Sequence, residues 1–404
     1  NLIPELRFPE FYNEGGWDEK ELSDVCEITN GKANAQDHIA DGLYPLFDRS
    51  EVIKATNNYI FDCEAVIIPG EGMRFIPKYY EGKFNLHQRA YALKDFSCIG
   101  QFVYYSMVHR SNLISQKAVQ STVLSLRLPI LQNFPIEIPS KPEEQQEIAS
   151  CLYSLDELLS AHNEKLDALK DHKKGLMQNL FPQEGETVPK VRFKEFEDDG
   201  DWVEKSIQKL IDDKIIVGHL DGNHGALYPK ASEFSEEGVP YITANDFVSG
   251  LVDFTNCKHL PMQRAKKFKK GVAKDGDILF AHNATVGPVA KLVTDLPFVI
   301  LSTTATYYRC DNKVLINDFL KFALTSPFFV GQYTRVMSQS TRNQVPITTQ
   351  RKFHLHLPKP REQQKIASCL SALDELINAQ ADKIEQLQQH KKGLMQGLFP
   401  KIQS

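Results

Sequence analysis

The chain has 404 residues, of which 42% are hydrophobic and 25% charged, and its formal net charge is −5. That length predicts two or three domains, and the composition excludes wholesale disorder. No stretch reaches the ~18 apolar residues of a membrane-spanning helix, and the opening residues carry no basic-then-apolar export pattern, so a cytoplasmic chain with no membrane partner is expected. The seven cysteines form no CxxC pair, which leaves zinc-ribbon and redox readings without ligands and predicts reduced thiols.

The first element in chain order is an opening carried by Pro4, Arg7, Phe8, Glu10, Phe11 and Trp17. It recurs, offset by 185, as Pro189, Arg192, Phe193, Glu195, Phe196 and Trp202. Residues 65–69 (AVIIP) read as a buried strand, 69–72 (PGEG) as a turn, and 134–139 as the strand that closes a first globular region. Residues 142–182 read as a long helix. Pro142 and an acidic first turn suit its start, and Pro182 its end. Its apolar residues alternate at spacings of four and three: Ile148, Leu152, Leu155, Leu159, Leu166, Leu169, Leu176 and Leu180, with His162 and Lys173 at the skipped positions. A polar linker with one glycine, 183–187, reads as a flexible joint. In the second region 275–277 reads as a turn, 277–281 (DILFA) as a buried strand, 318–329 as a short helix and 353–358 as the closing strand.

Residues 360–404 repeat the long helix. The segments from Pro142 and Pro360 match at 26 of 41 positions, at an offset of 218 and without a gap. The second seam is Ile366, Leu370, Leu373, Ile377, Ile384, Leu387, Leu394 and Leu398, with Gln380 and Lys391 at the skips. A sustained seven-residue period predicts a coiled-coil seam. Matched length and register favour pairing of the two helices with each other over separate packing of each on its own domain. If they pair antiparallel, Ser404 returns to the first domain. The expected fold class is therefore α+β: globular domains at 1–141 and 183–359, held apart by two long antiparallel coiled-coil helices, 142–182 and 360–404, in a pseudo-two-fold arrangement.

Enzyme constellations are missing from the sequence. It has no GxxxxGK[ST] phosphate loop, no Asn-Pro-Pro-Tyr tetrapeptide of an adenine methyltransferase and no GxSxG. His354 and His356 share a strand face, which suits a metal or an ordinary surface or core pair. Asp18-Glu19-Lys20 has the D-x-K spacing of metal-dependent nucleases but sits in a densely charged stretch.

Charge is segregated. Residues 257–274 carry seven Lys or Arg and no acid, and so do residues 319–361. Residues 65–134 carry eight bases against three acids, whereas residues 1–64 carry fourteen acids against five bases. Basic patches bind phosphate backbones by releasing counterions, although such a run can also be a solvated face. Side chains that read base edges lie among these bases. The candidates in the first region are Arg74, Lys78, Lys83, His87, Gln88 and Arg89. Those in the second are Lys266, Lys267, Lys269, Lys270, Gln339, Arg342, Asn343 and Gln344. The tripeptide Gln-Ser-Thr occurs at Gln120, Ser121, Thr122 and again at Gln339, Ser340, Thr341, offset by 219, as a shared contact position or as a turn that caps the closing strand.

Together, the tandem EQQxIAS…LDEL…HKKGLMQ-LFP helices and the paired Arg-Phe…Trp openings resemble the specificity (S) subunits of type I restriction-modification systems. The run at 276–287 (GDILFAHNATVG) resembles the second-domain core of that family; His282 and Asn283 within it are further DNA-binding candidates, although the resemblance transfers no particular base contact. The resemblance implies a non-catalytic chain with two target recognition domains, each reading one half of a split sequence in double-stranded DNA. It implies two methyltransferase (M) subunits and endonuclease/translocase (R) subunits as partners. S-adenosylmethionine, ATP and magnesium belong on those partners, with no cofactor or metal bound by this chain. The alternatives are a stand-alone two-module DNA-binding or tethering protein and, more remotely, a nuclease with an unrecognised site.

Overall fold

The computed structural model describes residues 2–119, 123–339 and 342–401. Gln120, Ser121, Thr122, Ser340, Thr341 and Ser404 lie outside the described residues. The chain divides into two compact units, residues 1–163 with 383–404, and residues 164–382. Each long helix contributes to both. The helices are Pro142–Asn179 and Pro360–Leu398, 38 and 39 residues. At ~1.5 Å per residue each is ~55–60 Å long. Among the described residues, no helix is long and apolar enough to cross a membrane.

In both units the opening element seats itself on the first turn of a long helix. In the first, Arg7 donates to both carboxylate oxygens of Glu144 at 2.7 and 2.8 Å, and Trp17 Nε1 donates to the same carboxylate at 3.3 Å. In the second, Arg192 donates to Glu362 at 2.8 and 2.7 Å and Trp202 Nε1 at 3.3 Å. Both carboxylates are 1% exposed, so bidentate pairing and the indole together offset their desolvation. The next residue in each repeat is a second clamp. Gln145 accepts from Ile99 N and donates to Pro139 O; Gln363 accepts from Ile316 N and donates to Pro358 O. The EQQ triplet of the repeated helix thus joins the opening, the closing strand and a domain helix at one point.

The strand after each opening pairs antiparallel with the closing strand: Asp18–Glu21 with Pro135–Ile138, and Val203–Ser206 with His354–Leu357. Beyond that frame the units differ. The first holds one six-stranded sheet, ordered Glu27–Asn30, Ala90–Lys94, Phe61–Pro69, Lys78–Leu86, Tyr44–Phe47, Lys54–Thr56. The second holds a six-stranded sheet centred on Ile278–Asn283 and Thr285–Lys291, and a four-stranded one.

Each unit is completed by the far end of the other long helix. The first core joins Trp17, Phe102, Phe134, Ile148 and Leu152 with Met395, Leu398 and Phe399. Leu6 N donates to Gly397 O at 2.8 Å, and a Cβ at Gly397 would sit 2.4 Å from the exposed Leu6 side chain, which would have to shift to make room. The second core joins Met177, Leu180 and Phe181 with Trp202, Phe319, Ile366 and Leu370, and Val191 N donates to Asn179 O at 3.0 Å. Lys391 pairs with Asp156 in the first unit, and Lys173 with Asp374 at 2.5 Å in the second. These are one pair with the helices exchanged, because both the acids and the lysines are 218 apart.

All sixteen seam positions are buried or partly buried, and so are His162, Lys173, Gln380 and Lys391 at the skips. Ile148, Leu152, Leu394 and Leu398, and Leu176, Leu180, Ile366 and Leu370, pack in or against the globular cores. The expectation of one helix at 318–329 is corrected: Asn317–Ala323 and Pro327–Ser338 are separate helices, because Ser326 Oγ caps Phe329 N and Pro327 starts the second. The linker expected to be a flexible joint is a hydrogen-bonded turn. Gln183 N donates to Glu186, Glu186 N to Gln183 O, and Thr187 Oγ1 to Asp201.

Candidate nucleic-acid interface

In the second unit the strands Ile278–Asn283 and Thr285–Lys291 turn at Ala284, whose φ of 65° lies in the left-handed region. The turn is tied to the segment after Gln339. Ala284 N donates to Asn343 O at 2.9 Å, Val345 N to His282 O at 2.8 Å, and Asn283 bridges Gln344. Asn283, Asn343 and Gln344 are therefore brought together, with Arg342 beside them; Arg342 and Asn343 are exposed. Gln339, also exposed, ends the helix Pro327–Ser338. His282 is corrected. It is 2% exposed, its Nδ1 lies 2.9 Å from Thr306 Oγ1, and burial holds its pKa down, so it braces the tip from beneath and does not face solvent.

Lys266, Lys267, Lys269 and Lys270 are all exposed, and none forms an ion pair with a described residue. They flank Phe268, which is buried against His224 and beneath Arg264. Lys269 and Lys270 line a cleft of about 400 Å³ with Asn223 and His224. A larger cleft of about 640 Å³ holds Tyr228, Asn245, Asn256, Lys258 and Thr303. Thr303 O accepts from Asn283 Nδ2 at 3.4 Å, which links this cleft to the hairpin tip. The sequence reading missed Tyr228, Asn245 and Asn256. An aromatic in the Gly-rich stretch 222–228 was the available signal.

The first unit uses the same device with different residues. Its hairpin, Phe61–Pro69 and Lys78–Leu86, has a longer connection, and Glu71 and Gly72 pair with Ser125 and Leu124. Ser125 and Gln344 are 219 apart, the offset of the two Gln-Ser-Thr tripeptides. In both units the chain just after that tripeptide is pinned to the hairpin tip.

The remaining candidates lie on this sheet or in the connections between its strands. Arg74, Lys83, Gln88 and Arg89 are exposed. Lys83 stacks over Tyr59 at 4.9 Å, and Gln88 donates to Asn34 Oδ1 at 3.0 Å. Arg89 pairs with Glu71 at 2.8 Å, as does Arg49, missed from the sequence, at 3.8 Å. Lys78 donates to Ser50 O at 2.5 Å, and burial lowers its pKa. His87 Nδ1 accepts from Arg89 N at 3.1 Å, which fits a neutral ring; burial keeps its pKa low.

The acid-free run 319–361 is a different case. Lys321 pairs with Asp374, Arg335 with Glu184 and Lys359 with Asp199, so three of its charges serve the frame. His356 is buried against Phe328 and 3.5 Å from Glu204. Among the described residues no cluster of His, Cys, Asp or Glu has the form of a metal site.

A family profile described as type I restriction modification DNA specificity domain matches residues 14–171 and, a second time, residues 217–389. The chain belongs to that family. The specificity subunit of the type I restriction enzyme MjaVIII of Methanocaldococcus jannaschii is 24% identical over 96% of this chain and 92% of its own length. The EcoDI specificity subunit of Escherichia coli is 29% identical over 44% of this chain and 40% of its own length. In fold, the S subunit of a type I restriction-modification system from M. genitalium covers all of both chains at a TM-score of 0.67 and 16% identity. A chain from a type I complex-assembly structure covers 98% of this one and 99% of its own length at a TM-score of 0.56 and 15% identity.

Proposed function

We propose that this chain is the DNA sequence-recognition subunit of a type I restriction-modification complex. Its globular parts, 1–141 and 183–359, act as target recognition domains, and each reads one half of a bipartite, asymmetric site. The carrying observation is the contrast between two equivalent frames and two unlike reading faces: the Arg–Glu–Trp anchors match in role, while the hairpin tips share only their pinning. The exchanged pairs Lys391–Asp156 and Lys173–Asp374 support antiparallel coiled-coil pairing of the long helices.

The chain itself performs no chemistry in this reading. It places two methyltransferase subunits and the endonuclease/translocase subunits on the site. S-adenosylmethionine, ATP and magnesium act on those partners, and no cofactor belongs to this chain. Exposed lysines at 266–270 neutralise phosphates, and the polar tip residues Asn283, Arg342, Asn343 and Gln344 face base edges. In the first domain Arg74, Gln88 and Arg89 take the corresponding part. No observation favours a stand-alone tether over this assignment.

The test is methylome sequencing of a host with and without the gene, followed by exchange of residues 183–359 for the same region of a relative. One bipartite methylated motif is expected, and the exchange changes one half only. The absence of any motif, or a change in both halves at once, overturns the reading.

A further inference from the structure

Resting on the DNA-reading assignment, one loop of the first unit invites a more specific role. Residues 70–77 connect the hairpin strands and display Met73 at 81% exposure, the highest of any large apolar side chain among the described residues. Single exposed apolar residues on mobile loops are ordinary. This backbone, however, is held from several sides. Gly70 N donates to Arg89 O and Gly70 O accepts from Leu126 N, both at 2.8 Å. Glu71 and Gly72 pair with Ser125 and Leu124, and Phe75 is fully buried beneath. The loop therefore presents Met73 on a fixed base, with Ile76 beside it at 41% exposure.

The surroundings are cationic. Met73 and Ile76 line a cleft of about 470 Å³ together with three bases, Arg49, Arg74 and Lys78, and one acid, Glu51. Arg49 and Arg89 converge on the single carboxylate of Glu71. Arg74 is exposed and has no hydrogen bond or ion pair with a described residue. An apolar tip ringed by guanidinium and ammonium groups is complementary to a base step between two phosphates. Proteins that kink duplexes insert Met, Leu, Ile or Phe side chains in this way, with basic residues on the flanking backbone.

We propose that Met73 is an apolar wedge that enters the base stack of double-stranded DNA, with Arg74 and Arg49 on the adjoining phosphates. The hairpin of the second unit turns on Ala284 and carries no large apolar residue there. The wedge therefore acts on one half-site only.

The test uses the full chain, alone and assembled with its methyltransferase, on a duplex bearing the motif from the methylome with 2-aminopurine placed in one half-site or the other. Wild type is expected to raise the fluorescence in one half-site. Met73→Ala abolishes that rise and weakens binding by about tenfold with an unchanged salt slope. Met73→Leu restores both, whereas Arg74→Ala lowers the slope by about one. If wild type binds and Met73→Ala matches it in affinity and fluorescence, the wedge is wrong and the reading function stands. If Met73→Ala keeps duplex binding but loses association with the methyltransferase, the loop is a protein-docking patch instead. If wild type binds no duplex in either form, the reading function itself fails.

Discussion

The two units differ most at their surfaces and least at their frames. At the helix starts they are near-copies: an arginine, a glutamate and a tryptophan in each, with the indole bond at 3.3 Å in both. At the hairpin tips they diverge. One presents an eight-residue connection with Met73 and Arg74, the other a one-residue turn flanked by Asn283 and Asn343. The comparison teaches that the buried junction admits one solution. Every polar atom there needs a partner inside the protein, so few substitutions survive. The exposed tip is held mainly by backbone pairing, which constrains its outward side chains less.

The largest expected effect comes from breaking the shared part. Glu144→Ala strands Arg7 and Trp17, and Glu362→Ala strands Arg192 and Trp202. Each is expected to cost about 3–5 kcal/mol, since a buried charge is left without its partner. Chemical denaturation of each variant measures this. Equal costs sustain the equivalence of the two frames, and a difference well above ~1 kcal/mol breaks it.

An intermediate effect is set by pH. His219 of the second unit is buried, with Nε2 3.3 Å from Gln350 Oε1, and burial pushes its pKa down to about 3. A histidine lowered in the folded state binds its proton more readily when unfolded. Its contribution is therefore intact above the ordinary value near 6.5 and is lost as pH falls from there toward 3. The slope is about 1.4 kcal/mol per pH unit for this group. His224 and His282, also lowered by burial, act in the same sense. Stability measured against pH is expected to fall below about pH 6.5, and His219→Gln should flatten the fall. An unchanged profile would remove His219 as its source.

The smallest effect on stability, close to zero, is expected from neutralising Lys266, Lys267, Lys269 and Lys270 to Ala together. Their exposed ammonium groups form no ion pair with a described residue. DNA binding should weaken without a change in the recognised motif, and the salt slope should fall by about one for each phosphate no longer neutralised. A denaturation midpoint that moved instead would assign these lysines to the frame, as Lys321 and Lys359 are.

Much of this was legible in the residues. The 218-residue offset located both long helices, and Asn179 and Leu398 end them within a few residues of the prolines at 182 and 400. The closing strands were readable from their short apolar runs. The EQQ triplet was visible as a repeat, but its work was not. Glu144 looked like an acidic first-turn residue, and only the fold brings Arg7, 137 positions away, onto it. The pairing of three bases in the acid-free run at 319–361 was hidden for the converse reason, because Asp374, Glu184 and Asp199 reach Lys321, Arg335 and Lys359 from outside the run. His282 looked like a reader, but its strand is buried from Ile278 through His282, and only Asn283 at its end is partly exposed.

The sequence by itself determined what is periodic or repeated: two equivalent helices, two equivalent openings and the offset that relates them, since local spacing sets which face of a helix is apolar. Only the tertiary structure decided which distant residues complete each core. Phe399 packs against Trp17 and Phe102 in the first unit, and Phe181 against Trp202 and Phe319 in the second. Each core thus draws on helix ends that no local pattern assigns to it, because burial depends on what the folded chain brings near, and sequence distance carries no record of that.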